Sequence, residues 1–99
     1  MLSEFLQKAI SLNADRLEIE YKDGEEWITA FCGDTGLGIG SVDSTKRDKL
    51  FEELDQFRKE KRVTVLGNVY RLRFSEYESF GETVYEMRWK REDRPNRLT

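Results

Sequence analysis

Gly67-Asn68-Val69-Tyr70-Arg71-Leu72-Arg73-Phe74-Ser75 and Gly81-Glu82-Thr83-Val84-Tyr85-Glu86-Met87-Arg88-Trp89 are two runs that alternate apolar with polar residues. That two-residue period belongs to strands with one face buried. A turn near Ser79 to Gly81 joins the runs into a hairpin. Tyr70, Leu72 and Phe74 line the inward face of the first strand, and Tyr85, Met87 and Trp89 that of the second. Alternation then leaves Arg71, Arg73 and Arg88 together on the opposite face. With the turn centred on Ser79 and Phe80, Arg73 falls opposite Glu86 and Arg71 opposite Arg88. The first is an ion pair across the strands and the second a repelling one.

Upstream, Val63-Thr64-Val65-Leu66 reads as one more strand, turning at Gly67-Asn68 into the hairpin. Before it, Leu50, Phe51, Leu54 and Phe57 form the stripe of a helix capped by Asp43, Ser44 or Thr45 and running to about Lys61, the longest element expected. Near the N-terminus, Leu2, Phe5, Leu6, Ala9 and Ile10 recur at helical spacing around Ser3, an N-cap residue type, so residues 3–12 form an amphipathic helix ended by Asn13. Leu17, Ile19 and Tyr21 then alternate with Arg16, Glu18, Glu20 and Lys22. Asp23-Gly24 is a two-residue hairpin signal, and the return strand, about Glu26 to Cys32, is apolar enough on both faces to sit inside a sheet. Residues 33–42 hold four glycines without a regular period and read as a loop. The expected fold is α+β: two helices on one face of a mainly antiparallel sheet of about five strands, in the order α-β-β-α-β-β-β, with residues 1–90 as one domain and 91–99 as a flexible charged tail.

Composition limits the chemistry. Ninety-nine residues support one core and no large cleft. Apolar and charged residues each make up 37%, so apolar side chains must be concentrated on one face of each element. A net charge of −3 lacks the cationic surplus of a nucleic-acid or membrane-surface binder. One cysteine excludes an internal disulfide, and the absence of histidine removes the usual ligand of zinc and the usual general base. No cofactor or metal is expected, and no apolar run is long enough to span a bilayer. A cytoplasmic protein is the expectation.

The glycine segment Gly33-Asp34-Thr35-Gly36-Leu37-Gly38-Ile39-Gly40 carries Ile39 and Gly40 where a Walker loop needs Lys and Ser or Thr, which excludes that motif. Asp34-Thr35-Gly36-Leu37-Gly38 does resemble the Asp-x-Gly-x-Gly box of histidine kinases, in which the Asp accepts the adenine amino group. Lys8, however, stands near the position of that family's magnesium-holding Asn, and an ammonium only donates. A flexible turn is the simpler reading of these glycines. Cys32 has no histidine to activate it and reads as a buried structural thiol, while Glu18, Glu20, Glu25 and Glu26 read mostly as solvent-facing. The candidate anion- or nucleotide-binding residues are Arg71, Arg73 and Arg88, together with Asp34, Gly36 and Gly38. No catalytic group is identified.

Ala14-Asp15-Arg16-Leu17-Glu18-Ile19-Glu20, Leu72-Arg73-Phe74-Ser75, Gly81-Glu82 and Met87-Arg88-Trp89 resemble, over roughly residues 3–90, the domain preceding the motor in type II secretion and type IV pilus assembly ATPases. Glu18 stands where that family has His and Arg16 where it has Asp, and the second strand lacks the family's arginines. Only Arg73 and Arg88 match arginines that the family uses to close over nucleotide bound to the motor. The resemblance implies a stand-alone, non-catalytic domain that binds a protein, either a second copy or a motor ATPase in trans. The alternatives are a sensor of a nucleotide or other small anion and a degenerate histidine-kinase-type module.

Overall fold

The computed structural model describes residues 1–92. Helix α1 (Leu2–Ser11) leads into strands β1 (Arg16–Lys22), β2 (Glu25–Cys32) and β3 (Thr35–Asp43). Helix α2 (Arg47–Asp55) follows, and then β4 (Lys61–Val65), β5 (Asn68–Ser79) and β6 (Glu82–Arg91). The fold is α+β, as expected, but the sheet has six strands in the order β3-β2-β1-β6-β5-β4, every pair antiparallel. Two three-strand meanders are joined where the first strand of one lies beside the last strand of the other.

The additional strand is the glycine segment, which is an edge strand and not a loop. Two of its glycines, Gly36 and Gly40, make room rather than turns. A Cβ at Gly36 would lie 2.8 Å from Cε1 of Phe31, and one at Gly40 would lie 2.9 Å from Cε1 of Phe5 on α1. A bulge on β3, opposite Ile28 and Thr29 of β2, leaves Ile39 without a register partner, and Ile39 turns into the core. Gly33, at φ +59°, and Asp34 are all that remains of the loop, a two-residue turn between Cys32 and Thr35.

Both helices cover one face of the sheet. Leu2, Leu6 and Ala9 of α1 and Leu50 and Leu54 of α2 close over Leu17, Ile19, Ile28, Leu72, Phe74 and Met87. Helix α1 starts one residue before Ser3 because Glu53 Oε1, not a serine cap, accepts the Leu2 N–H at 2.9 Å. At its other end Asn13 takes φ 62°, and Ala14 and Asn13 donate to the carbonyls of Ala9 and Ile10, a Schellman closure. Asp43 accepts from Thr45 in the turn before α2 rather than from the helix itself, whose N-cap is Lys46. Helix α2 stops at Asp55, short of Lys61, because the Phe57 carbonyl accepts the Phe74 N–H at 2.8 Å and is unavailable to a further helical turn. The longest element is therefore β5, with 12 residues.

Cys32 closes β2 at the margin of the core and is exposed, not buried. Arg91 ends β6, and Glu92 donates to the Val69 carbonyl, so the expected tail begins later than residue 91; the rest of it lies outside the described residues. No helix among the described residues is long and apolar enough to cross a membrane.

Candidate functional site: the helix-free face of the sheet

The face away from the helices displays mostly polar side chains, with Phe31 and Trp27 of β2 among them. Cross-strand register sets its side chains in rows. Arg73 on β5 stands beside Arg88 on β6, Arg88 beside Arg16 on β1, and Arg16 beside Phe31 on β2. In the next row Ser75, Glu86, Glu18 and Thr29 follow the same four strands. On the other side of the arginines, Arg62, Arg71 and Lys90 form a short basic row on β4, β5 and β6. A band of cations thus borders a pair of acids.

The expected pairings were displaced by two residues. The turn is Phe80-Gly81, not Ser79-Phe80, so Arg73 faces Arg88 and Arg71 faces Lys90, while Glu86 faces Ser75. A shift of two preserves the face on which each side chain lies. The three arginines are exposed on one surface, as their alternation requires, but Arg73 loses its acid.

The acids serve Arg16 and Arg88. The Arg16 guanidinium reaches Glu18 at 3.3 Å, Asp15 at 2.8 Å and Glu86 at 4.0 Å, donates to the Gly33 carbonyl at 3.1 Å, and lies 4.6 Å from the centre of the Phe31 ring. Arg88 Nε donates to Glu86. Glu18 and Glu86 are each only 8% exposed, so these contacts compensate two buried carboxylates. Asp15 accepts the Gly33 N–H at 2.8 Å, and that bond, together with Arg16, holds its carboxyl below the usual aspartate range. Tyr77 lies over the acids; burial first, then Glu18, raises its phenol above the ordinary value.

Arg71 makes only long contacts, to Glu60 at 3.8 Å and Glu92 at 3.9 Å. Among the described residues Arg73 and Lys90 have no carboxylate within 4.0 Å. The groups converge on a shallow depression of about 530 Å³ lined by Arg71, Arg73, Arg88, Lys90, Glu60 and Trp89, with Asp15 at its rim. Forked guanidinium donors suit carboxylates or phosphates.

The other predicted site residues lie elsewhere. Asp34, Gly36 and Gly38 are exposed on and beside the edge strand β3, with β2 and β1 between them and β6. At about 4.8 Å per strand, Gly36 lies roughly 14 Å from Arg88. Sequence reasoning missed Arg16 as a site residue: its alternation with Leu17 and Ile19 puts it on this face, but nothing in the sequence says that β1 lies beside β6. Glu26 is a second correction, since it is only 1% exposed, held by Arg47 at 3.0 Å, with Oε1 unpartnered among the described residues. No three His, Cys, Asp or Glu residues cluster in a metal-holding arrangement among the described residues. No protein-family model matches the chain, and no curated protein matches it at a significant level.

Proposed function

We propose that this chain is a non-catalytic interaction module that grips an acidic segment of a protein partner on the helix-free face of its sheet. The observation that carries the reading is the Arg73–Arg88 pair, two guanidinium-bearing positions in direct register of which, among the described residues, only Arg88 has a carboxylate partner. Like charges set opposite one another destabilise a sheet, and an anion from outside relieves that cost. The adjoining acids, Glu86 and Glu18, would repel a long uniform polyanion, so a short acidic segment fits better than nucleic acid. The similarity to the pre-motor domain of secretion and pilus ATPases also points to a protein partner, a second copy or a motor in trans.

A nucleotide or other small anion is the second reading, favoured by the same unpaired Arg73 but without help from Asp34, Gly36 or Gly38. Calorimetric titration of a short glutamate-rich peptide tests the proposal. The wild type should bind with a salt-sensitive affinity, and R73E/K90E, which breaks no existing ion pair among the described residues, should weaken binding about tenfold or more. No heat with the wild type at millimolar peptide refutes it.

A further inference from the structure

We infer that the acidic segment taken by the arginine face is the tip of the β5–β6 hairpin of a second copy, so that the chain associates head to tail. The inference rests on the binding reading above and names its partner. The hairpin is polarised along its length. Its base carries Arg71, Arg73, Arg88, Lys90 and Arg91 and no acid between residues 68 and 75 or 87 and 91, whereas residues 75–87 carry Glu76, Glu78, Glu82 and Glu86 and no base.

The acidic half is also an arm. β4 pairs with β5 only as far as Leu72, and β1 pairs with β6 only from Tyr85 onward, so from Ser75 to Val84 the two strands have only each other. Isolated two-stranded ribbons are marginal in water, so this arm gains from being covered. Phe80 is at its end, 104% exposed, at φ 51° in the first position of a two-residue turn. Asn, Asp or Gly is the ordinary occupant there, and a β-carbon at positive φ adds strain. Leu66 occupies the equivalent position of the β4–β5 turn, but it borders a depression shared with Leu2 and Leu6, whereas Phe80 is fully exposed. Tyr77, half-buried on the acids, extends the aromatic surface toward the arm.

The two ends complement each other. Glu76 and Glu86 are occupied by Arg58 and by Arg88 with Arg16, which leaves Glu78 and Glu82 flanking Phe80 without an ion pair among the described residues. The receiving depression, about 530 Å³, offers Arg73 and Lys90, neither of which has an ion pair among the described residues. The chain already seats guanidinium groups on aromatic rings at Arg16–Phe31, Arg47–Phe51 and Arg58–Phe74, the contact that Phe80 would make with Arg73 or Arg88. Arg73 and Phe80 lie seven residues apart on an extended strand, about 23 Å, so the tip cannot fold back onto its own base. Unlike surfaces at opposite ends meet only between copies, and repetition produces rings or open chains.

Sedimentation velocity of the full chain over a micromolar to millimolar range tests this. The average mass should rise with concentration and fall with added salt. Phe80→Gly, which suits the turn better, should leave the thermal midpoint unchanged or higher while weakening association about tenfold or more. R73E/K90E and E78R/E82R should each be monomeric alone and associate when mixed in equal amounts. A wild type that stays monomeric at millimolar concentration, a Phe80→Gly protein that associates like wild type, or a mixture that stays monomeric overturns the inference. If the monomeric wild type still binds the acidic peptide, the second copy is wrong and the binding face stands; if it binds neither, both fall.

Discussion

Glu26 shows how much one carboxylate can demand of a small core. It sits on the helix-side face of β2 with Ile28 and Ala30, 1% exposed, and its only counter-charge among the described residues is Arg47 at the start of α2. The Arg47 guanidinium also lies over the Phe51 ring, its Cζ 4.4 Å from the ring centre. Arg47→Met removes the guanidinium and strands the buried charge, with an expected loss of about 2 kcal/mol, less than the roughly 3–5 kcal/mol of a fully enclosed pair because Arg47 is 40% exposed. Glu26→Gln should cost less than about 1 kcal/mol, and the double variant should be more stable than Arg47→Met alone. Denaturant unfolding of the four proteins decides it. Asp15 makes a pH-dependent contribution. Its folded carboxyl titrates below the ordinary range, so the stability it adds is complete above the unfolded value near pH 4 and is lost as pH falls through the lower folded value. Asp15→Asn should therefore lower the melting temperature at pH 7 and narrow the gap to wild type in acid, as thermal scans across that range would record.

At the scale of elements, β3 and the β5–β6 arm depart furthest from the expected pattern. Gly40 is the place where the Phe5 ring of α1 presses onto β3. Gly40→Ala should cost about 1–3 kcal/mol through displacement of that ring, and pairing it with Phe5→Leu should recover part of the loss, read from unfolding midpoints. Such glycines look in sequence like loop glycines, because the ring that needs the space lies on a different element far upstream. The faces of β1, β5 and β6 were legible because a two-residue period depends on local sequence alone. Their neighbours were not: the β1–β6 pairing joins the two ends of the chain, and the exact turn residue, Phe80, breaks the usual turn preference. Hence the arginine surface could be foreseen, whereas Arg73 beside Arg88, and Arg16 beside both, could not. The arm gives a prediction at this scale as well. Amides from Ser75 to Ser79 and from Glu82 to Val84, supported by one partner strand, should exchange with solvent much faster than those of Leu17, Ile19 and Met87 at the β1–β6 seam, in dilute protein followed by hydrogen exchange.

Across the whole molecule, a net charge of −3 conceals strong segregation. One face of the sheet is covered by helices and carries the core; the other carries the cations at the base of a long hairpin, whose tip holds the free acids Glu78 and Glu82 on its two sides. On the proposed reading, stability resides on one face and recognition on the other, and binding should be more sensitive to salt than folding. The guanidinium Nε–H signals of an isotope-labelled sample, followed during addition of a glutamate-rich peptide, report on this division most directly. Arg73 and Arg88 should shift together along one saturation curve, while Arg47 and Arg58, engaged with Glu26 and Glu76, stay in place. Shifts at Arg47 or Arg58 with Arg73 and Arg88 unmoved would contradict it.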